Sequence, residues 1–125
     1  MIFRKPLREI DTPEQVEAFL DDVLPLQPDA LLLGNPATIG FRLKQLRRRG
    51  LSVPANLSIV GMDDWPTAEA FTPEIAAISN NCNAVAERAV EIITRNQKLE
   101  QPKLIQEYVP GTFIERGSCI PARKA

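Results

Sequence analysis

Apolar residues near the start of the chain recur three and four positions apart, the spacing of one face of an α-helix. Thr12 precedes this series as a candidate N-cap, with Pro13 in the first helical position. Gln15 stands three residues after the cap and completes the pattern of a capping box. The pattern predicts a helix that begins after Thr12 and ends before Pro25, with an apolar face made of Val16, Phe19, Leu20, Val23 and Leu24.

Two short apolar runs follow, separated by a second helical pattern. Residues 30–33 are continuously apolar between a proline and a glycine, which is typical of a strand buried on both faces of a parallel sheet. The second helix opens at Pro36 with Asn35 as its cap, and Gly50 marks its end. Residues 57–61 form the next strand. Strand, helix and strand at this spacing predict a right-handed βαβ unit.

The remainder of the chain continues this alternation. Residues 75–79 predict a third strand, and residues 104–114 predict one or two more. Between them lies a third helical pattern with apolar positions at Val85, Ala89, Ile92 and Ile93, for which Asn80, Asn81 and Asn83 are the candidate N-caps. The fold class is therefore α/β, with a mostly parallel sheet and flanking helices.

Composition narrows the possible functions of this chain. It has 125 residues, 44% hydrophobic and 25% charged, which suits one globular domain. A net charge of −1 gives no electrostatic footprint for nucleic acid, and the basic residues near Arg42 are interpreted as a solvated helix end. There is no histidine and no CxxC pair, so we expect no metal, no cofactor and no enzymatic activity.

Candidate ligand chemistry lies where the strands end, because open parallel sheets bind ligands at their carboxyl ends. Asn35 follows the first strand, and Asp63, Asp64 and Trp65 follow the second. A carboxylate accepts hydrogen bonds from sugar hydroxyls, and an indole packs against a pyranose ring. A glycosidase pair would need carboxyls on opposite sides of a bond, and a calcium loop would need a different spacing. Simple turn capping by the two acids remains open.

At these residues the sequence resembles the LacI/GalR family of bacterial repressors. The resemblance runs from about Pro28 to Ser118 and is carried by motifs in the family's order. They are Pro-Asp-Ala-Leu-Leu-Leu-Gly-Asn at 28–35, Gly-Leu-Ser-Val-Pro at 50–54, Leu-Ser-Ile-Val-Gly-Met-Asp-Asp at 57–64, Phe-Thr-Pro at 71–73 and Glu-Arg-Gly-Ser at 115–118.

The resemblance implies a fold and a role. Family members have an N-terminal helix-turn-helix head and two subdomains that clasp an effector, usually a sugar or nucleoside. Residues 1–125 would be one C-terminal effector-binding and dimerisation subdomain, half of a type I periplasmic-binding-protein-like clamshell. The helix at 81–100 would pack on an N-terminal subdomain that is missing, leaving its apolar face uncovered. The expected protein is a cytoplasmic homodimer that contacts DNA only through the missing head and does not contact a membrane.

The same resemblance assigns roles to residues. Asp63 matches the acid that contacts effector, with Asp64 its neighbour and Asn80 at a ligand position. Asn35 takes the place of an aspartate in the family's Asn-Asp pair, and Trp65 is a candidate ring platform or interface residue. The expected ligand residues are Asp63, Asn35, Asn80, Asp64 and Trp65, and the expected dimer-interface residues are Thr38, Phe41, Arg42 and Phe71.

Three alternatives to the repressor module stay open. A free-standing periplasmic-type sugar-binding protein is disfavoured because Met1–Pro6 does not resemble a secretory signal. A sugar-processing enzyme is disfavoured by the lack of histidine and of a nucleophile motif. A structural fragment without an intact ligand site is the third, because only half of the clamshell is expected.

Overall fold

The computed structural model describes residues 12–98, 101 and 103–121. The described residues form four strands and three α-helices, and 3-10 turns at 24–26, 36–38 and 66–70 connect some of them. The predictions for Met1–Pro6 and for residues 99 and 100 lie outside the described part. The elements are α1 (Pro13–Val23), β1 (Ala30–Leu33), α2 (Ile39–Arg48), β2 (Ser58–Met62), β3 (Ala76–Ser79), α3 (Cys82–Asn96) and β4 (Thr112–Ile114).

The sheet has the order β1-β2-β3-β4. The pairs β1–β2 and β2–β3 are parallel, and β4 joins β3 in antiparallel fashion. The predicted α/β class and βαβ unit are confirmed. Within the predicted tail 104–114, only Thr112–Ile114 pairs as a strand, since Pro110 cannot donate to a ladder and Gly111 lies against the carbonyl of Ser79.

The capping box at the start of α1 is confirmed. The backbone N–H of Gln15 donates to the Thr12 hydroxyl at 3.3 Å, and the backbone N–H of Thr12 donates to the Gln15 side-chain carbonyl at 3.1 Å. Two helix-terminal or pre-helical N–H groups therefore gain partners. The buried residues of α1 are Val16, Phe19, Leu20 and Val23, the face predicted from the periodicity.

Replacing Thr12 by alanine is expected to lower the free energy of unfolding by about 1 kcal/mol, because the cap loses its acceptor oxygen. Urea denaturation followed by circular dichroism would measure this. Thr67→Ala, at an exposed position in a 3-10 turn, is the control and is expected to have no comparable effect. Equal midpoints for wild type and Thr12→Ala would contradict a stabilising role of the capping box.

The core occupies one face of the sheet. Leu31, Leu33 and Ile59 point to this face and pack with the buried residues of α1 and α2. Polar contacts join the two helices at their edge: the Gln45 side-chain amide donates to Glu17 at 2.8 Å, and Arg49 pairs with Asp21 at 2.6 Å. Gly50 ends the α2 region with a φ of 74°, the left-handed conformation predicted for it.

The opposite face of the sheet differs from the prediction. The interpretation of residues 30–33 as a strand buried on both faces is wrong, because Leu32 is 53% exposed. Burial alternates along β1, with Leu31 and Leu33 inside and Leu32 outside. The physical reason is that α1 and α2 contact each other on the core side of the sheet. An apolar strand gives no signal for which of its faces receives a cover.

Helix α3 stands apart from the core. None of its described residues is buried, so the prediction that its apolar face is uncovered is confirmed. Asn81, one of the three predicted candidates, is the N-cap residue of α3, but its φ is 49° and its side chain makes no cap hydrogen bond. Its amide instead donates to the Pro110 carbonyl at 2.6 Å and to the Thr112 hydroxyl at 3.2 Å. Across the described ranges, no helix is long and apolar enough to cross a membrane.

Candidate functional site

Asp63 is the residue at which β2 turns away from the sheet. Its φ is 65°, a left-handed conformation that aspartate adopts more readily than most residues. The Asp63 N–H donates to the Ile78 carbonyl at 2.9 Å, which fixes the turn to β3. The Asp63 carboxylate accepts a hydrogen bond from the Asn80 side-chain amide. Two residues at the carboxyl ends of neighbouring strands thus meet, and both are among the ligand positions that the resemblance implied.

An open cavity of about 400 Å³ surrounds this pair. It lies between the end of the sheet and the first turn of α3, whose N-cap residue makes no side-chain cap bond. Backbone N–H groups of a helix's first turn are donors without intrahelical partners. The cavity therefore combines a carboxylate acceptor, amide groups and helix-terminal donors, and its lining is Asp63, Asp64, Ser79, Asn80, Asn81, Cys82, Asn83 and Ala84.

Asp64 also lines the cavity, but its carboxylate has another partner. The Arg116 guanidinium donates to Asp64 Oδ1 at 2.7 Å and to the Ile75 carbonyl at 2.9 Å. It also donates to Glu69 at 3.1 Å, and its side chain is only 8% exposed. The hydrogen bond with Asp64 raises the pKa of Arg116. Arg116 thus ties the loop after β2 to the C-terminal segment, and only the family motif at 115–118 pointed to it.

Two other predicted ligand residues lie away from this cavity. The indole of Trp65 covers Gly61, where an added Cβ would lie 2.7 Å from the ring. This indole packs against the hydrophobic core and is absent from the cavity lining. Asn35 caps the turn before α2 by accepting a hydrogen bond from the Ala37 N–H at 3.0 Å. The structure therefore brings Asp63, Asp64 and Asn80 together, whereas Trp65 and Asn35 support the scaffold.

The residues predicted for a dimer interface divide into two groups. Thr38 and Arg42 are buried within the subunit, and the Arg42 guanidinium lies over the Phe19 ring at 5.4 Å from its centroid. They consequently offer little surface to a partner in this arrangement. Phe41 and Phe71 are half-buried and pack against the core. The predicted interface stays a prediction, and only these two phenylalanines retain exposed area for it.

The residues described in the structure contain no group of three or more cysteine, aspartate or glutamate side chains that could hold a metal ion. In the cavity, the Asp63 carboxylate accepts a hydrogen bond from the Asn80 amide, and the Asp64 carboxylate pairs with Arg116.

Comparison with known families places these observations in context. The family described as "Periplasmic binding protein-like domain" matches residues 3–119, which is nearly the whole chain. The chain belongs to this family. Its mostly parallel sheet with flanking helices is therefore the fold of part of a periplasmic binding protein-like domain.

Relatives of this periplasmic binding protein-like chain are transcriptional repressors, as the LacI/GalR resemblance predicted. The ribose operon repressor of Escherichia coli K12 is 30% identical over 96 residues, covering 75% of this chain and 28% of that protein. The probable opine utilization operon repressor of Rhizobium rhizogenes is 31% identical over 118 residues, covering 86% and 59%. The chain thus spans only part of the length of these relatives.

Solved structures of LacI family regulators share the fold. A regulator from Bifidobacterium animalis subsp. lactis superimposes with a TM-score of 0.75 at 26% identity, covering 90% of this chain and 42% of that one. A regulator from Arthrobacter sp. FB24, in complex with lactose, gives a TM-score of 0.67 at 24% identity, covering 85% and 39%. The fold class and the family predicted from the sequence are confirmed.

Proposed function

We propose that this chain is an effector-binding part of a LacI-type transcriptional regulator and that it binds a polyhydroxylated ligand, a sugar or a nucleoside. The observation that carries the proposal is the meeting of Asp63 and Asn80 in the cavity beside the uncapped start of α3. The lactose complex of the Arthrobacter regulator and the name of the ribose operon repressor support the ligand class.

The chemistry of the cavity fits such a ligand. Adjacent ring hydroxyls can donate two hydrogen bonds to the Asp63 carboxylate, while the Asn80 amide and the helix-terminal N–H groups donate to hydroxyl oxygens. The cavity is open, because Asn80, Cys82, Asn83 and Ala84 are exposed. A ligand held from one side keeps much of its hydration, so we expect weak binding by this chain alone.

The remaining functions of the proposed regulator lie outside the cavity. DNA contact is assigned to a helix-turn-helix beyond this chain, and the site of action is the cytoplasm. Self-association through Phe41 and Phe71 completes the proposal, because these rings retain exposed area beside the core. A catalytic role is not proposed, since the relatives are repressors and the cavity pairs its carboxylates with Asn80 and Arg116.

Asp63→Asn is expected to weaken binding of the best ligand at least about tenfold, because the substituted amide removes the charge-assisted acceptor. The measurement is isothermal titration of D-ribose, lactose, cellobiose and adenosine into the full chain, with thermal shift as a second readout. Asp63 is exposed, so the variant is expected to keep the wild-type melting temperature without ligand.

Two further variants control this experiment. Asp29→Asn lies before β1, at the opposite end of the sheet, and is expected to bind like wild type. Asp64→Asn is expected to lower the melting temperature, because it weakens the pair with Arg116, while the ligand-induced shift persists. Absence of binding by wild type to every compound, or equal binding by wild type and Asp63→Asn, would contradict the proposed site.

A further inference from the structure

Two carboxylates line the cavity at the ends of β2 and β3, and the structure gives them partners of different charge. Among the described residues of the cavity wall, only Asp63 and Asp64 are charged. Asp63 accepts its hydrogen bond from Asn80, a neutral amide. Asp64 pairs with the guanidinium of Arg116 at 2.7 Å. The wall therefore carries one full negative charge and a second one that a neighbouring positive charge offsets.

Arg116 is held behind the cavity wall by its own chain. Its Nη1 atom also donates to the Ile75 carbonyl at 2.9 Å, and its Nη2 atom donates to Glu69 at 3.1 Å. The side chain of Arg116 is 8% exposed and that of Asp64 is 27% exposed, so salt in the solvent screens this pair less than it screens an exposed pair. Arg116 is absent from the cavity lining. It can therefore act on a bound ligand only through its charge and through Asp64.

The charge of Asp64 has unequal effects on neutral and cationic ligands. A sugar hydroxyl donates a hydrogen bond to a carboxylate without carrying a net charge of its own. A protonated amine gains attraction from every uncompensated carboxylate near it. At about 6 Å and an effective dielectric constant of roughly 40, one such carboxylate raises the affinity for a cation about tenfold. The affinity for a neutral sugar changes little, since it has no charge to attract.

We propose that Arg116 sets the charge selectivity of this cavity. By neutralising Asp64, it leaves the site with the charge of one carboxylate instead of two, which favours neutral polyols over protonated amino sugars. Arg116 is a positioning residue, because it acts on Asp64 and does not touch the ligand. The inference rests on the proposed function and adds to it the charge class of the ligand.

A purely structural role of Arg116 makes a different prediction. If Arg116 only tied the loop after β2 to the C-terminal segment, its loss would weaken the binding of neutral and cationic sugars equally. The informative quantity is therefore the dissociation constant of a neutral sugar divided by that of its amino analogue, both measured on the same variant. We call this ratio the amine preference. A general loss of stability or of site geometry cancels in it.

NMR titrations of the full chain measure the amine preference with two matched pairs, D-glucose with D-glucosamine and D-galactose with D-galactosamine. The buffer has low ionic strength and a pH of about 6, where the sugar amines are protonated. In Arg116→Gln the amine preference is expected to rise about tenfold above wild type, because Asp64 loses its positive partner. Arg116→Lys retains the positive charge and is expected to keep the wild-type value.

Asp64→Asn is expected to shift the amine preference in the opposite direction. The positive charge of Arg116 then remains near the wall with only Glu69 to offset it, so the ratio should fall several-fold. The double variant Asp64→Asn with Arg116→Gln removes both charges and is expected to return close to wild type. Asp64→Asn keeps the test decisive if Arg116→Gln does not fold.

Arg88→Gln is the control, because it removes the same charge from an arginine that pairs with Glu107 outside the cavity lining. It is expected to leave the amine preference unchanged. Sugar binding with the same ratio in wild type, Arg116→Gln and Asp64→Asn would overturn this inference and leave the proposed function standing. An equal rise in Arg88→Gln would also overturn it, since net charge alone would then explain the effect. Absence of binding of all four sugars to wild type and to every variant would overturn the proposed function and this inference with it.

Discussion

Ser118→Ala is expected to lower the free energy of unfolding by about 3 kcal/mol, because one hydroxyl satisfies two buried backbone groups. The Ser118 hydroxyl donates to the Ile59 carbonyl at 2.6 Å and accepts from the Ala76 N–H at 2.8 Å. Ser118 is 0% exposed, so water cannot replace the lost partners without a rearrangement. Its backbone also accepts from the Ile59 N–H and donates to the Glu74 carbonyl, each at 2.9 Å.

Urea denaturation at neutral pH would measure this change. The matched control is Ser79→Ala, whose hydroxyl accepts a single bond of 3.3 Å from the Asn81 N–H in a half-buried position. We expect a loss of less than about 1 kcal/mol there, typical of one weak, solvated hydrogen bond. A Ser118→Ala protein as stable as Ser79→Ala would mean that the Ser118 hydroxyl does not stabilise the start of β2 and β3.

The predictions that succeeded rest on local signals. The strand at residues 30–33 was predicted from an apolar run between a proline and a glycine. The capping box was predicted from Thr12 and its partner three positions on. Such signals act over one turn or one strand and do not depend on the rest of the fold. The parallel pairing of β1 with β2 followed from the same local elements, because a strand, a helix and a strand at this spacing form a βαβ unit.

The features that the sequence did not reveal or predicted wrongly depend on distant residues. Ser118 reaches β2 and β3 across 59 and 42 positions of sequence, and no local pattern reveals such a link. Asn81 is the N-cap residue of α3, but its side-chain amide donates to the Pro110 carbonyl, 29 positions away, instead of capping the helix. The exposure of Leu32 likewise depends on which face of the sheet the helices cover. These outcomes are set by tertiary packing, which a single sequence expresses only weakly.

The candidate site shows the same division. The carboxyl ends of parallel strands lie at one edge of the sheet, which predicted a site at Asp63, and the family resemblance added Asn80 as a ligand position. The sequence did not show whether the residues after Asp63 face the cavity or the core, since successive side chains can point in opposite directions. Asp64 turns to Arg116 and Trp65 turns to Gly61. Asp63, in a left-handed conformation, keeps its carboxylate at the cavity.

Arg42→Met is expected to raise the free energy of unfolding by about 1–3 kcal/mol, an effect opposite to that of most core substitutions. Arg42 is 1% exposed, and its Nε and Nη1 atoms have no hydrogen-bond partner in the described part of the chain. Burial of the guanidinium lowers the pKa of Arg42, which reflects the cost of removing its charge from water. The stacking over Phe19 offsets only part of this cost.

Methionine fills a similar volume without buried donors, so the comparison with Arg42→Ala separates charge from packing. Alanine leaves a cavity between α1 and α2 and is expected to destabilise the protein, whereas methionine stabilises it. Thermal unfolding and sedimentation of both variants would decide the role of this residue. Arg42→Met could instead destabilise the chain and dissociate a dimer. That result would mean that a second copy accepts hydrogen bonds from Arg42 Nε and Nη1, and it would support the predicted interface at Thr38 and Arg42. Stabilisation without a change in assembly makes Arg42 an internal contact of α1 and α2.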